Sequence, residues 1–92
     1  MEVLLDGRLM TDRGAVHDLL AEKLSLPVYY GRNLDGLYDV LTDYPNEVEI
    51  VLIHAAAMTD SLGRYGNALI KTIADAAEKN PKINFLIFDE NN

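Results

Sequence analysis

An α/β fold, a three-stranded parallel sheet flanked by about four helices, is predicted for this chain by three observations. Short, nearly continuous apolar runs recur at Val3-Leu4-Leu5, at Val48 to His54 and at Ile83 to Phe88. Between them lie stretches whose apolar residues repeat at helical rather than alternating spacing. Strands that alternate with helices pair in parallel through right-handed crossovers. With 92 residues and no internal repeat, linker or low-complexity tract, residues 1–92 make one domain. A chain of this size buries roughly 60–70% of its unfolded surface, enough for a core without cross-links.

The elements follow in order. Val3-Leu4-Leu5 reads as a buried strand ended by the turn signal Asp6-Gly7. Thr11 or Asp12 can cap a first helix whose stripe is Val16, Leu19, Leu20 and Leu24, and Leu26-Pro27 stops it. After a loop from Val28 to Arg32, Asn33 is a good N-cap for a second, short helix, closed by Tyr44-Pro45-Asn46. Val48 to His54 is apolar almost throughout, as expected of a central strand covered on both faces. A short helix over Ala55 to Leu62 ends at Gly63. An amphipathic helix over Asn67 to Lys79 turns Leu69, Ile70, Ile73 and Ala76-Ala77 inward, and Asn80-Pro81 ends it. Ile83 to Phe88 is the last strand, and Asp89-Glu90-Asn91-Asn92 reads as a frayed tail.

Composition narrows the function. The net charge of −7 argues against nucleic acid or an anionic membrane as a direct ligand, since both need Lys and Arg. It favours a basic partner and would speed encounter with one. The chain has no cysteine, which removes disulfide, thiolate and cysteine–metal chemistry and fits a reducing compartment. No basic segment followed by an apolar run opens it, and its longest apolar stretch is too short to span a bilayer. The expectation is a cytoplasmic protein that needs no cofactor.

The most informative segment runs from Tyr29 to Tyr44. Leu34, Leu37, Tyr38 and Leu41 recur at helical spacing as a buried stripe, while Asp35, Asp39 and Asp43 form a carboxylate column on another face. Aromatic rings (Tyr29, Tyr30, Tyr44) stand at both ends. The column opposes the helix that carries it. Like charges four apart cost about 0.2–0.5 kcal/mol per pair, and the negative end of the helix dipole disfavours Asp39 and Asp43. No Lys or Arg stands three or four residues from Asp39. Gly36, in the first turns, costs about 1 kcal/mol against Ala and removes bulk beside the column. A solvated face on an acidic protein accounts for the spacing alone. The combination points to stability given up for a surface that meets positive charge.

Catalytic signals are thin. His17 lies beside the stripe of the first helix, where a partly buried or surface histidine is the ordinary reading. His54 ends the central strand, where open α/β sheets tend to bind ligands, but no base, nucleophile or metal ligand adjoins it. Gly63-Arg64-Tyr65-Gly66 lacks the pattern of a phosphate loop. Three aspartates on one helix cannot surround a cation or flank a sugar from two sides. The chain does not read as an enzyme.

The pattern Tyr-Tyr-Gly-x-Asn-Leu-Asp-x-Leu-x-Asp-x-Leu-Thr over residues 29–42 resembles the signature of the barstar family, intracellular inhibitors of small secreted bacterial ribonucleases. The likeness extends upstream through Leu26-Pro27, His17 and the opening strand with its Gly7 turn. It implies a stoichiometric inhibitor, a monomer forming a 1:1 complex with a small basic ribonuclease of the barnase type or a related basic toxin. By motif position, Asp39 would be the central mimic of an RNA phosphate and Asp35 its neighbour. Tyr29 and Gly31 would belong to the inserting loop, and Asn33, Leu34 and Thr42 would frame the contact. Tyr38 and Tyr44 stand where the family's best-known member carries Trp, and Arg32 stands where that member is acidic. Asp75 matches a Glu of the interface, though Lys71 and Lys79 at i−4 and i+4 explain it equally well as a surface ion pair. Two other readings stay open: the same surface serving a different basic toxin or cellular protein, and a small ligand-binding or enzymatic site near His54.

Overall fold

The computed structural model describes residues 1–89 as β1 (Glu2–Asp6), α1 (Arg13–Leu24), α2 (Leu34–Thr42), β2 (Val48–Ile53), α3 (Ala55–Leu62), α4 (Arg64–Lys79) and β3 (Ile83–Phe88), with a 3-10 turn at Gly7–Leu9. The sheet is parallel throughout, in the order β1-β2-β3. This is the expected α/β architecture. The proposed frayed tail lies outside the described residues apart from Asp89, whose carboxylate accepts a hydrogen bond from the Ala56 N–H at 3.0 Å.

Alternation along the strands sorts the sheet into two faces. Val3, Leu5, Val48, Ile50, Leu52 and Ile83 turn inward and join Leu20, Leu24, Leu37, Leu41, Leu69 and Ile73 in one core. The opposite face carries the row Leu4–Val51–Leu86, set side by side by the strand register. Leu4 is 49% exposed and Leu86 37%. The expectation that the central strand is covered on both faces is therefore corrected. Val51, only 7% exposed, lies outside the core cluster and between Leu4 and Leu86 across the sheet. An apolar run in a central strand can be shielded by its neighbours' side chains as well as by a helix.

Local chemistry sets the remaining boundaries. The Asp12 carboxylate accepts from the Ala15 N–H at 2.8 Å and caps α1. β2 ends one residue earlier than expected, because His54 turns into the left-handed region (φ 53°) and starts α3. Gly63, at φ 60° and ψ −131°, adopts a backbone suited to glycine and separates α3 from α4. That single residue suffices, so α4 begins at Arg64, three residues before the expected start. Every peptide bond among the described residues is trans, including that before Pro45.

Gly7 is fixed by a close approach. A Cβ built there would lie 2.2 Å from the carbonyl oxygen of His54, on the turn that leaves β2. Gly7→Ala is expected to force the two connections apart at a cost of about 1–3 kcal/mol. The check is a lower urea midpoint at an unchanged m-value.

Candidate functional site

The acidic helix α2 is pinned at both ends. The Asn33 side chain accepts from the Gly36 N–H at 2.6 Å and donates to the Gly31 carbonyl at 3.1 Å, capping the helix and tying it to the loop. Gly36 earns its place here through packing: a Cβ would meet Asn33 Oδ1 at 3.2 Å and the Gly31 backbone at 3.3–3.4 Å. Leu37 and Leu41 are fully buried, with Leu34 and Tyr38 packed against the same core. At the far end the buried Asn80 amide donates to the carbonyls of Leu41 (2.9 Å) and Tyr44 (3.1 Å), and Lys82 Nζ donates to that of Pro45 (2.8 Å). These donors meet carbonyls that a helix C-terminus leaves unpaired, beside acids that make that end less favourable. Thr42 donates its hydroxyl to the Asp39 carbonyl at 3.0 Å.

The preceding loop is held from beneath. His17, 2% exposed, bonds through Nδ1 to the Tyr30 hydroxyl and through Nε2 to the Tyr65 hydroxyl, the latter at 2.5 Å. One imidazole thus ties the loop to α1 and α4. Burial, with a smaller contribution from the positive Arg32, pushes the His17 pKa below its ordinary 6.5, so the ring is neutral at pH 7. In a neutral ring one nitrogen donates and the other accepts, so one tyrosine accepts and the other donates. Burial pushes the Tyr30 phenol well above its usual value, with the Tyr65 ring adding to it.

The three carboxylates of the column are exposed, and among the described residues none of them makes an ion pair. They divide between two depressions. Asp39 and Asp43 line an open groove of about 530 Å³ together with Tyr29, Tyr44, Leu26 and Pro27. Tyr29 is largely exposed, whereas Tyr44 is buried and donates its hydroxyl to the Leu24 carbonyl at 2.8 Å, forming the groove wall. Asp35 instead opens on a neighbouring cleft of about 340 Å³ shared with Arg13, Arg32 and Tyr65. Arg32, in the left-handed region at φ 56°, pairs with Asp18. The Arg13 guanidinium lies 4.2 Å from the centre of the Tyr65 ring. Asp75 belongs to neither depression: Lys71 donates to it at 2.9 Å, and it lines a third cleft with Glu78 and Phe85. Gly31 is exposed in the loop.

An open groove with two unpaired carboxylates, an exposed phenol ring and an apolar floor is suited to a guanidinium, ammonium or imidazolium group on an apolar stem. Reading the sequence missed Leu26, Pro27, Pro45 and Asn46 as groove walls. The two prolines had signalled only helix ends, although both also line the groove. Asn80 gave no local sign, because its partners lie 36 and 39 residues away. His54 lies outside the groove.

Two comparisons bear on this geometry. The family model described as Barstar (barnase inhibitor) matches residues 1–90. A Bacillus subtilis (strain 168) protein named "Putative ribonuclease inhibitor YrdF" is 35% identical over 79 residues, covering 85% of this chain and 87% of that protein.

Two outcomes are expected. Asn80→Ala leaves the Leu41 and Tyr44 carbonyls without their donor and should lower stability by about 2–4 kcal/mol, at about 1–3 kcal/mol for a lost buried partner plus the cavity; chemical denaturation measures it. For His17, the folded-state pKa is depressed, so the unfolded chain binds more protons below 6.5. The stabilisation is complete above that value and falls as pH drops through it. Stability of the wild type should therefore decline between about pH 8 and about pH 5.5 more steeply than that of His17→Gln, compared by urea unfolding at each pH.

Proposed function

The chain belongs to the barstar family, and from that premise we propose that it is a stoichiometric inhibitor of a small basic ribonuclease, blocking the active site with carboxylates in place of RNA phosphates. The family points to an inhibitor rather than to an enzyme. One observation carries the reading: Asp39 and Asp43 stand unpaired beside the exposed Tyr29 ring on an open groove, on a helix that their mutual repulsion weakens. Positive groups that hold a phosphate would find in Asp39 a planar acceptor able to take two parallel N–H bonds. Tyr29 would cover an imidazole or guanidinium seated there, and Asp35, one turn away, would extend the negative field.

Asp35 shares its cleft with Arg13 and Arg32, so the proposed footprint is acidic at its centre and mixed in charge at one edge. This edge supports a second reading, in which the same groove serves a basic toxin other than a barnase-type ribonuclease. No helix among the described residues is long and apolar enough to cross a membrane.

The test is to mix the protein one-to-one with a barnase-type ribonuclease and follow RNA cleavage at low and high salt. Inhibition that weakens with salt is expected. Asp39→Ala should weaken binding by about 3–5 kcal/mol, the usual cost of stranding one partner of a desolvated charge pair, or roughly two to four orders of magnitude in Kd. The same variant should keep or gain a few tenths of a kcal/mol in stability, because two like-charge pairs are relieved. Equal losses of binding and stability would make Asp39 structural. Inhibition unchanged in the variant would remove phosphate mimicry, and a folded wild type that inhibits nothing would favour the second reading.

A further inference from the structure

The two edges of the sheet are guarded differently. β1 carries a carboxylate at each end, Glu2 and Asp6, whereas β3 reads Ile-Asn-Phe-Leu-Ile-Phe, with no charge and no proline. Its register against β2 runs unbroken from Ile83 to Phe88, so no bulge twists it away. Charges, prolines and bulges are the devices that keep an exposed edge from pairing. The Val48 N–H donates to the Lys82 carbonyl at 2.9 Å, which fixes the phase of the parallel ladder. Asn84, Leu86 and Phe88 direct their backbone groups to β2, and Ile83, Phe85 and Ile87 turn theirs to the open edge. The Ile83 N–H is taken by the Asn80 carbonyl at 3.0 Å. Among the described residues, nothing meets the Ile83 carbonyl or the N–H and C=O groups of Phe85 and Ile87.

We propose that β3 pairs antiparallel with β3 of a second copy about a two-fold axis at Phe85, making a dimer with one continuous sheet. In that register Phe85 exchanges both backbone bonds with its counterpart, and each Ile87 N–H reaches the Ile83 carbonyl of the second copy. On the helix side of the sheet, Phe85 meets its own ring and Ile87 lies opposite Ile83, aromatic and β-branched residues suited to cross-strand contact. Charge selects this orientation. Antiparallel strands bring Lys82, which precedes β3, near Asp89, which follows it, at both ends of the pair. Each makes one bond within its own chain, Lys82 to the Pro45 carbonyl and Asp89 from the Ala56 N–H. An ammonium has three donors and a carboxylate about four acceptor sites, so each keeps capacity for the other. Parallel pairing would set Lys82 beside Lys82. Along the flank, Ala74, Asp75, Ala77 and Glu78 of α4 line a cleft with Ile83 and Phe85. Lys71 and Lys79 offset Asp75 and Glu78 on that helix, so this edge is close to neutral in a molecule of net charge −7. No residue of β3 lines the acidic groove, so each chain of the dimer keeps its own. The dimer is therefore independent of the ribonuclease reading. The family resemblance implies a monomer; the open edge of this chain argues for two.

Sedimentation equilibrium over a range of concentrations tests the pairing on the wild type, Ile87→Lys and Leu4→Lys, each shown to be folded by circular dichroism. The lysines replace side chains that are 43% and 49% exposed. A lysine at Ile87 blocks the edge, while Leu4 lies on the bare face at the opposite edge. The wild type and Leu4→Lys should approach twice the chain mass with the same dissociation constant, and Ile87→Lys should raise that constant at least about tenfold. In the wild type, exchange of the Phe85 amide, followed by NMR, should slow at least about tenfold from dilute to concentrated protein. A wild type that keeps one chain mass at about 1 mM overturns the proposal. So does a dimer that Leu4→Lys dissolves and Ile87→Lys keeps, or one in which Phe85 exchange is unchanged.

Discussion

The hydrogen-bonded imidazole of His17 is the constraint from which the loop and the acidic helix take their places. It bridges two phenols from different parts of the chain, Tyr30 in the loop and Tyr65 in α4. With Val28 and Tyr29 turned outward, the loop has little apolar area other than Tyr30 with which to fix itself. Held at Tyr30, it has one defined path, so Tyr29 projects outward, Gly31 reaches Asn33, and α2 starts where its cap places it. Burial keeps the ring neutral, which suits it to donating at one nitrogen and accepting at the other.

On this frame the helix tolerates a charge pattern that would fray it in isolation. Nine residues are too few for a stable helix in water, and the like charges subtract a few tenths of a kcal/mol more. What offsets this comes from elsewhere: two leucines in the core, Asn33 at the start, Asn80 and Lys82 at the finish. Apart from Asn33, which lines the cleft beside Asp35, none of these groups lines either depression. The two buried leucines, Asn80 and Lys82 thus hold α2 without engaging its exposed acids.

The sequence was most legible where structure is local. Asn33 and Asp12 cap as their residue types suggest, Gly63 breaks as glycine does, and β3 and α3 span the expected residues. It was least legible where one residue answers to a distant one. The run Ile50 to Ile53 looks alike whether a helix or neighbouring side chains cover Val51, and the open face was missed for that reason. The aspartate column was plain as a pattern. Its division between a groove at Asp39 and Asp43 and a mixed-charge cleft at Asp35 depends on Pro27, Arg13 and Tyr65, brought there by the fold. Asp75 illustrates the converse: the helical spacing to Lys71 visible in the sequence is the contact the structure contains.

The strand order carries a consequence for synthesis. β1 pairs with a strand 47 residues later, and the last strand to arrive completes the sheet. The acidic helix leaves the ribosome early, yet the amide that closes its far end belongs to Asn80. Until that residue emerges, the carbonyls of Leu41 and Tyr44 lack their donor, and the core beneath the helix lacks Leu69 and Ile73. The surface encoded in the middle of the chain is thus the last to mature, and a truncated nascent chain presents the aspartates without the geometry that aims them.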